Sequence, residues 1–151
     1  MTSLEQLYKQ LEEYKSFDKE DNIDLFLDTG SEIILQQDPS SIKVLMSYFD
    51  DESEYSWVYE TLSSGIEHYP MEDYVREICI NMEIMEKKAP EFLKYLLYPI
   101  MCTPGYPDCF KKNIYLAPKR LLFKLFDIIE RESPEWASLI KELRKERDKT
   151  P

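Results

Sequence analysis

Leu4, Leu7, Tyr8, Leu11 and Tyr14 recur at intervals of three and four, the spacing that gathers side chains on one face of an α-helix. Thr2 and Glu5 precede them in capping-box spacing, so the chain is expected to open on an amphipathic helix. After a charged break at Asp18 to Asp21, Ile23, Leu25, Phe26 and Leu27 make a short helical run. Gly30 is expected to end it, and Ser31 to Gln37 to add another turn or two. Asp38 followed by Pro39 reads as the next helix start. The carboxylate can accept an orphan N–H there, and proline lacks the donor that a first turn leaves unused. Ile42, Leu45, Met46 and Phe49 are placed toward its core.

Proline continues to mark beginnings at Pro70, Pro90, Pro118 and Pro134, each opening a stretch of helical period. The predicted helices cover 39–50, 53–68, 70–87, 90–102, 106–131 with a break near Leu116, and 134–148. They fall into successive antiparallel pairs joined by short turns. Residue identities do not repeat, so the repetition is architectural. The fold class is all-α: stacked antiparallel helix pairs, as a HEAT-like α-solenoid or an irregular helical array. One domain spans residues 1–151, with capping helices in 1–37, central pairs in 38–132 and a C-terminal helix and tail in 133–151.

Wheels at about 100° per residue refine this layout. Met71, Tyr74, Val75, Ile78, Met82 and Met85 share one face of helix 70–87, with Ile80 and Ile84 nearly opposite, so both sides are expected to be buried. Helix 90–102 is apolar almost all round, as a central layer requires, and Pro99 is expected to kink or end it. In the last helix Trp136, Leu139, Ile140 and Leu143 form a narrower stripe beside Lys141, Arg144, Lys145 and Arg147, which predicts one wet face.

Composition supports the helical reading. Of 151 residues 43% are hydrophobic and only three are glycine, enough for one sizeable core and against an all-β fold rich in glycine turns. The first thirty residues carry eight acids and no continuous apolar segment, so neither a signal nor a transit peptide is expected. The apolar run Tyr95 to Cys102 is too short to span a bilayer. Cys79, Cys102 and Cys109 cannot all pair within one chain, and reduced, mostly buried thiols in a cytoplasmic protein are expected. Charge is uneven: residues 1–91 hold 22 acids and 7 Lys/Arg, a net −15, whereas residues 92–151 carry +4. The acidic part repels nucleic acid and attracts cationic partners.

The chemistry of an active site is hard to assemble from these residues. His68 is the single histidine, without a near nucleophile, a second histidine or Glu-x-x-His spacing, which leaves no triad or zinc pattern. Gly30, Gly65 and Gly105 are too far apart for a phosphate-cradling loop. Asp50, Glu52 and Glu54 alternate like the start of a calcium loop, yet Tyr55 and Thr61 stand where glycine and glutamate would be needed,. No enzyme, cofactor or metal is expected.

The segment Phe49–Asp73 carries a different signal. Tyr55, Val58, Tyr59, Leu62, Ile66 and Tyr69 form one apolar stripe, while Trp57 lies about 200° from Tyr55 among Glu54, Glu60, Thr61, Ser64 and His68. Two readings of Trp57 stand: an interface anchor ringed by carboxylates, or an indole packed on a neighbouring helix layer. The candidate partner-binding set is Asp50, Asp51, Glu52, Glu54, Trp57, Glu60 and His68, with Glu67 and Asp73 at its margin.

Phe49-Asp50-Asp51 closing a helix, Ile66-Glu67 late in the next, Tyr74-Val75 opening a third, Ala89-Pro90-Glu91-Phe92 and the loop around Tyr106 and Phe110 together resemble the immunity-protein family numbered thirty. The resemblance covers about residues 40–115. Two positions depart from the family's pattern: Phe92 in place of a tryptophan and Cys102 in place of an asparagine. It implies a small acidic helical protein of bacterial polymorphic-toxin and contact-dependent inhibition systems. Such a protein binds one cognate toxin domain 1:1 and blocks it. The toxin is expected to be basic, with a nuclease as one such class, and neither nucleic acid nor membrane is expected as a partner. The rival reading is a helical-repeat adaptor or regulatory subunit without a toxin partner.

Overall fold

A computed structural model describes residues 2–19 and 21–150; within the predicted break at Asp18 to Asp21, Glu20 lies outside the described residues. The first helix, α1 (Leu4–Tyr14), is capped one residue later than the sequence spacing indicated. The Ser3 hydroxyl accepts from the Gln6 amide at 3.2 Å and the Gln6 side chain accepts from the Ser3 amide at 3.4 Å. Glutamine serves in this box as well as glutamate does. Leu7 and Leu11 are fully buried, as the apolar stripe requires.

The second helix corrects an expectation. Gly30 ends nothing: α2 runs unbroken from Asn22 to Leu35. Gly30 is buried at a close approach to α4 (Ser56–Ile66), where an added Cβ would lie 3.4 Å from Leu62 Cδ1. On α4, Gly65 meets α2 in the same way, with Ile34 Cδ1 2.8 Å from where its Cβ would be. Both glycines cost helix propensity, roughly 1 kcal/mol each relative to alanine, and both let the two helices approach. The contacts 30 to 62 and 34 to 65 advance together, so α2 and α4 run in the same direction. Between them, α3 (Ser41–Met46) makes the return. The helix begins two residues later than Asp38-Pro39 indicated and ends before residue 50: Ser40 is its N-cap, and the Asp38 carboxylate accepts from the Ser40 amide at 3.0 Å and the Ser40 hydroxyl at 2.8 Å in the turn that leads into it.

Further on come α5 (Met71–Asn81), continued by a 3-10 turn at Met82–Met85, and α6 (Pro90–Cys102). Then follow α7 (Tyr106–Asn113) with a 3-10 turn at Ile114–Leu116, α8 (Lys119–Glu132), a 3-10 turn at Pro134–Trp136, and α9 (Ala137–Asp148). The break near Leu116 falls where predicted, closed by Pro118. Gly105, at φ 86°, opens α7 from the left-handed region, where a Cβ is disfavoured.

All elements are helical among the described residues. The helix α2 packs against α1 and α4, and α3, α5, α7 and α9 form a row in which each touches the next. The helix α6 sits against α5 and α7. With α3 so short and three 3-10 turns interrupting the period, the result is an irregular helical array.

Two wheel expectations need correction. Ile80 and Ile84 are 42% and 44% exposed, so α5 and its 3-10 extension bury one face, not two. The helix α6 keeps the predicted bounds, Pro90 to Cys102, and does not end at Pro99. Proline there leaves the Tyr95 carbonyl without its i+4 donor, and Tyr95 is exposed, where water can take that role. Finally, Arg147 is not on the wet face of α9. It is buried, and its Nε donates to the Ala117 carbonyl at 3.0 Å, tying α9 to the chain before α8.

Candidate partner-binding surface

Along α4 the apolar stripe and the polar face separate as the wheel indicated. Val58, Tyr59, Leu62, Ile66 and Tyr69 are buried and Tyr55 is partly buried against the core. Trp57, Glu60, Thr61, Ser64 and His68 are exposed along the outer face. Trp57 has half its surface open, at 50%, so its indole is not enclosed by a neighbouring helix layer. Glu52 and Glu54, in the loop before α4, are exposed at the same end. The His68 Nδ1, in the turn after α4, lies 3.0 Å from the Ser64 carbonyl.

Beside His68 the α2–α4 contact opens into a groove of about 420 Å³ lined by Ser31, Ile34, Leu35, Gln37, Gly65 and His68. Leu35, at 79% exposure, is the most open large apolar side chain of the described residues. Sequence reasoning missed it because Ser31 to Gln37 was expected as a separate turn; the continuous stripe Phe26, Ile33 and Ile34 was the available signal. Leu35 stands away from that stripe, on the outer side. The two helices thus present one surface, with an indole and carboxylates near the N-terminal end of α4 and an apolar groove near its C-terminal end.

Other predicted members are drawn elsewhere. The Asp51 carboxylate accepts from the Glu91 amide at 2.7 Å and the Phe92 amide at 3.2 Å. It acts as a cap for α6 from forty residues away in the chain, because the free N–H groups of a first turn favour a carboxylate. Its own amide donates to the Lys88 carbonyl at 2.9 Å. Asp50 accepts from the Glu52 amide at 2.9 Å and lines a separate polar cleft with Glu12, Lys15, Tyr48, Tyr59 and Lys88. Asp73 lies on α5, in a charged groove against Asp38, Lys43, Arg76 and Ile80. Glu67 is the C-cap residue of α4 and exposed; desolvation raises its carboxyl pKa, with His68 opposing that shift. The acids Asp50, Glu52 and Glu54 form no convergent metal cluster, and no such cluster occurs among the described residues.

The cysteines divide as well. Cys79 and Cys109 are buried, Cys102 is exposed, and all three are free thiols. Burial pushes the Cys79 thiol up to about 12 and that of Cys109 up to about 11. No described helix is long and apolar enough to cross a membrane.

The chain is thus an all-helical array whose α2–α4 side carries exposed acids, a half-open indole and a shallow apolar groove. The family model of Immunity protein 30 matches residues 13–109, about two thirds of the chain, and the chain belongs to that family. The match starts earlier than the resemblance read from residues 40–115 and takes in the whole of α2, the helix that carries Leu35. No curated protein and no solved structure matches the chain.

Proposed function

We propose that this protein neutralises a toxin domain by binding it 1:1 in the cytoplasm, through the outer face of α2 and α4. The observation that carries this reading is Trp57: a large indole held half open among Glu54, Glu60 and His68. Interface hot spots concentrate in such aromatic anchors, while surrounding carboxylates set orientation and encounter rate. Family membership supports a toxin as partner. The net −15 of residues 1–91 supports a basic toxin, of which a nuclease is the leading class, with the acidic face standing where nucleic acid would bind. Two buried free thiols, Cys79 and Cys109, support a reducing compartment. The contact set is proposed as Glu52, Glu54, Trp57, Glu60 and His68, extended by Leu35. Asp50, Glu67 and Asp73 are assigned to the margin, and Asp51 to holding α6.

The test is co-expression with the toxin domain encoded beside this gene. Restored growth together with a 1:1 complex on gel filtration is the expected outcome. Absence of both, with capture of a housekeeping protein in place of the toxin, would assign the same surface to an adaptor.

A further inference from the structure

A file of aromatic rings leaves the core along α6. Ring centroids are 5.9 Å apart for Tyr59 and Phe92, 6.2 Å for Phe92 and Tyr95, 5.7 Å for Tyr95 and Tyr98, and 5.2 Å for Tyr98 and Trp136. The file is buried at Tyr59 and Phe92 and opens at Tyr95, which is 48% exposed. Tyr98 and Trp136 are half-buried beyond it.

Two carboxylates flank the open end. Lys94, 4% exposed, reaches Glu91 Oε2 at 2.9 Å and Glu132 Oε2 at 2.7 Å. Its ammonium also lies 5.4 Å from the Tyr95 ring centroid, and the Tyr98 hydroxyl donates to Glu132 Oε2 at 3.3 Å. Burial opposes the charge on Lys94, but the hydrogen bonds to Glu132 and Glu91 outweigh it and the net pKa is raised. One ammonium therefore serves two carboxylates directly, and Arg131 acts on Glu132 only through its charge, without a hydrogen bond to it. Glu91 and Glu132 retain 55% and 46% of their side-chain exposure; Lys94 takes both Glu132 oxygens, Oε1 at 3.0 Å as well as Oε2, but only Oε2 of Glu91, so each carboxylate keeps acceptor capacity beyond the ammonium.

The molecule contains an occupied site of the same design. Arg144 places its Cζ 4.9 Å from the Phe123 centroid and 5.7 Å from that of Phe126, and its Nη2 donates to Asp127 Oδ1 at 2.6 Å. Ring faces and a carboxylate there hold a guanidinium. At Tyr95, Tyr98 and Trp136 the rings and carboxylates recur, while the one cation there, Lys94, lies near the Tyr95 ring alone and is buried.

We propose that Tyr95, Tyr98 and Trp136, with Glu91 and Glu132, receive an arginine side chain of the protein partner. A planar guanidinium stacks on a ring and offers parallel donors to a carboxylate, which a lysine ammonium does not. Buried Lys94 locks the acceptors in place, so little ordering is needed on binding. That the partner is a toxin domain rests on the function proposed above; the chemistry of the site does not.

Two measurements decide it, both on the full chain. In the first, N-acetyl-arginine methylamide and its neutral citrulline counterpart are titrated while ring resonances are followed by NMR. Saturable shifts of Tyr95, Tyr98 and the Trp136 indole with the arginine compound are expected, lost in Tyr95→Ala and kept in Tyr95→Phe. No saturable shift, or equal shifts with citrulline, overturns the site. In the second, affinity for the toxin domain is measured. Tyr95→Lys, at an exposed position, is expected to lower it by about tenfold or more with unchanged thermal unfolding. Undiminished affinity in Tyr95→Lys, while Trp57→Ala weakens binding, overturns the partner assignment and leaves the proposed function intact. A wild-type chain that binds arginine but not the toxin overturns the proposed function and upholds the site.

Discussion

Trp57 and Asp51 lie within one loop and one helical turn of each other, yet do different work. The indole of Trp57 is half open, so Trp57→Ala is expected to weaken toxin binding by ~2 kcal/mol or more with little change in melting temperature. A large fall in melting temperature at full affinity would sink that assignment. Asp51 is tied to the Glu91 and Phe92 amides. Its replacement by alanine leaves two N–H groups without their acceptor and is expected to cost ~1–2 kcal/mol in urea unfolding. Binding by the folded variant should persist; unchanged stability with lost binding would return Asp51 to the interface. The position of Trp57 was legible because a wheel needs only the helical period. The role of Asp51 was not, because its partners are forty residues distant and nothing local marks a carboxylate as a remote cap.

At the scale of elements, the pairing of α2 with α4 decides the candidate surface. A glycine in a periodic run signals a helix end when read alone; Gly30 instead permits the contact with Leu62, as Gly65 permits that with Ile34. Without that contact Leu35 would not lie beside His68, and the groove would not exist. The helix α6 behaves similarly. Its all-round apolar pattern conceals an exposed Tyr95. Thiol chemistry separates the elements experimentally. Cys102, exposed at the end of α6, is expected to react with an aromatic disulfide reagent at pH 8 in the native protein. Cys79 on α5 and Cys109 on α7 should react only after denaturation, since burial both shields them and raises their thiol pKa values,. Three fast-reacting thiols in the native state would contradict this packing.

For the whole molecule, titration and salt report on the core and the surface in turn. Cys79 is raised from 9.0 to about 12 by burial, and buried Tyr74 lies well above its ordinary 10.0 for the same main reason. Groups shifted upward give stability that is fully present below their unfolded values and lost as pH climbs through the folded ones. Denaturant midpoints are therefore expected to be level from pH 7 to about 8.5 and to fall through the interval up to about 12. Cys79→Ala should flatten the first part of that fall, and an identical profile would exclude Cys79 as its source. Charge acts on encounter: with the N-terminal part at −15, association with a basic toxin is expected to slow at least severalfold between low and high salt, more than dissociation changes. Salt-independent association would remove steering from the mechanism.

The sequence by itself determined the helices, most of their starts and the division of α4 into a buried and an open face, because helical period, proline and capping chemistry act over a few residues. It also carried the acidity of the first 91 residues and the family resemblance. The tertiary structure decided which acids share a surface. Asp51 turns to α6, Asp50 and Asp73 face other clefts, and Glu52, Glu54, Trp57, Glu60 and His68 remain exposed in and around α4. It alone assembled Leu35 with His68 across α2 and α4, and Glu91 with Glu132 around Lys94. Such groupings depend on where distant segments pack, and a local pattern of residues carries no term for that distance.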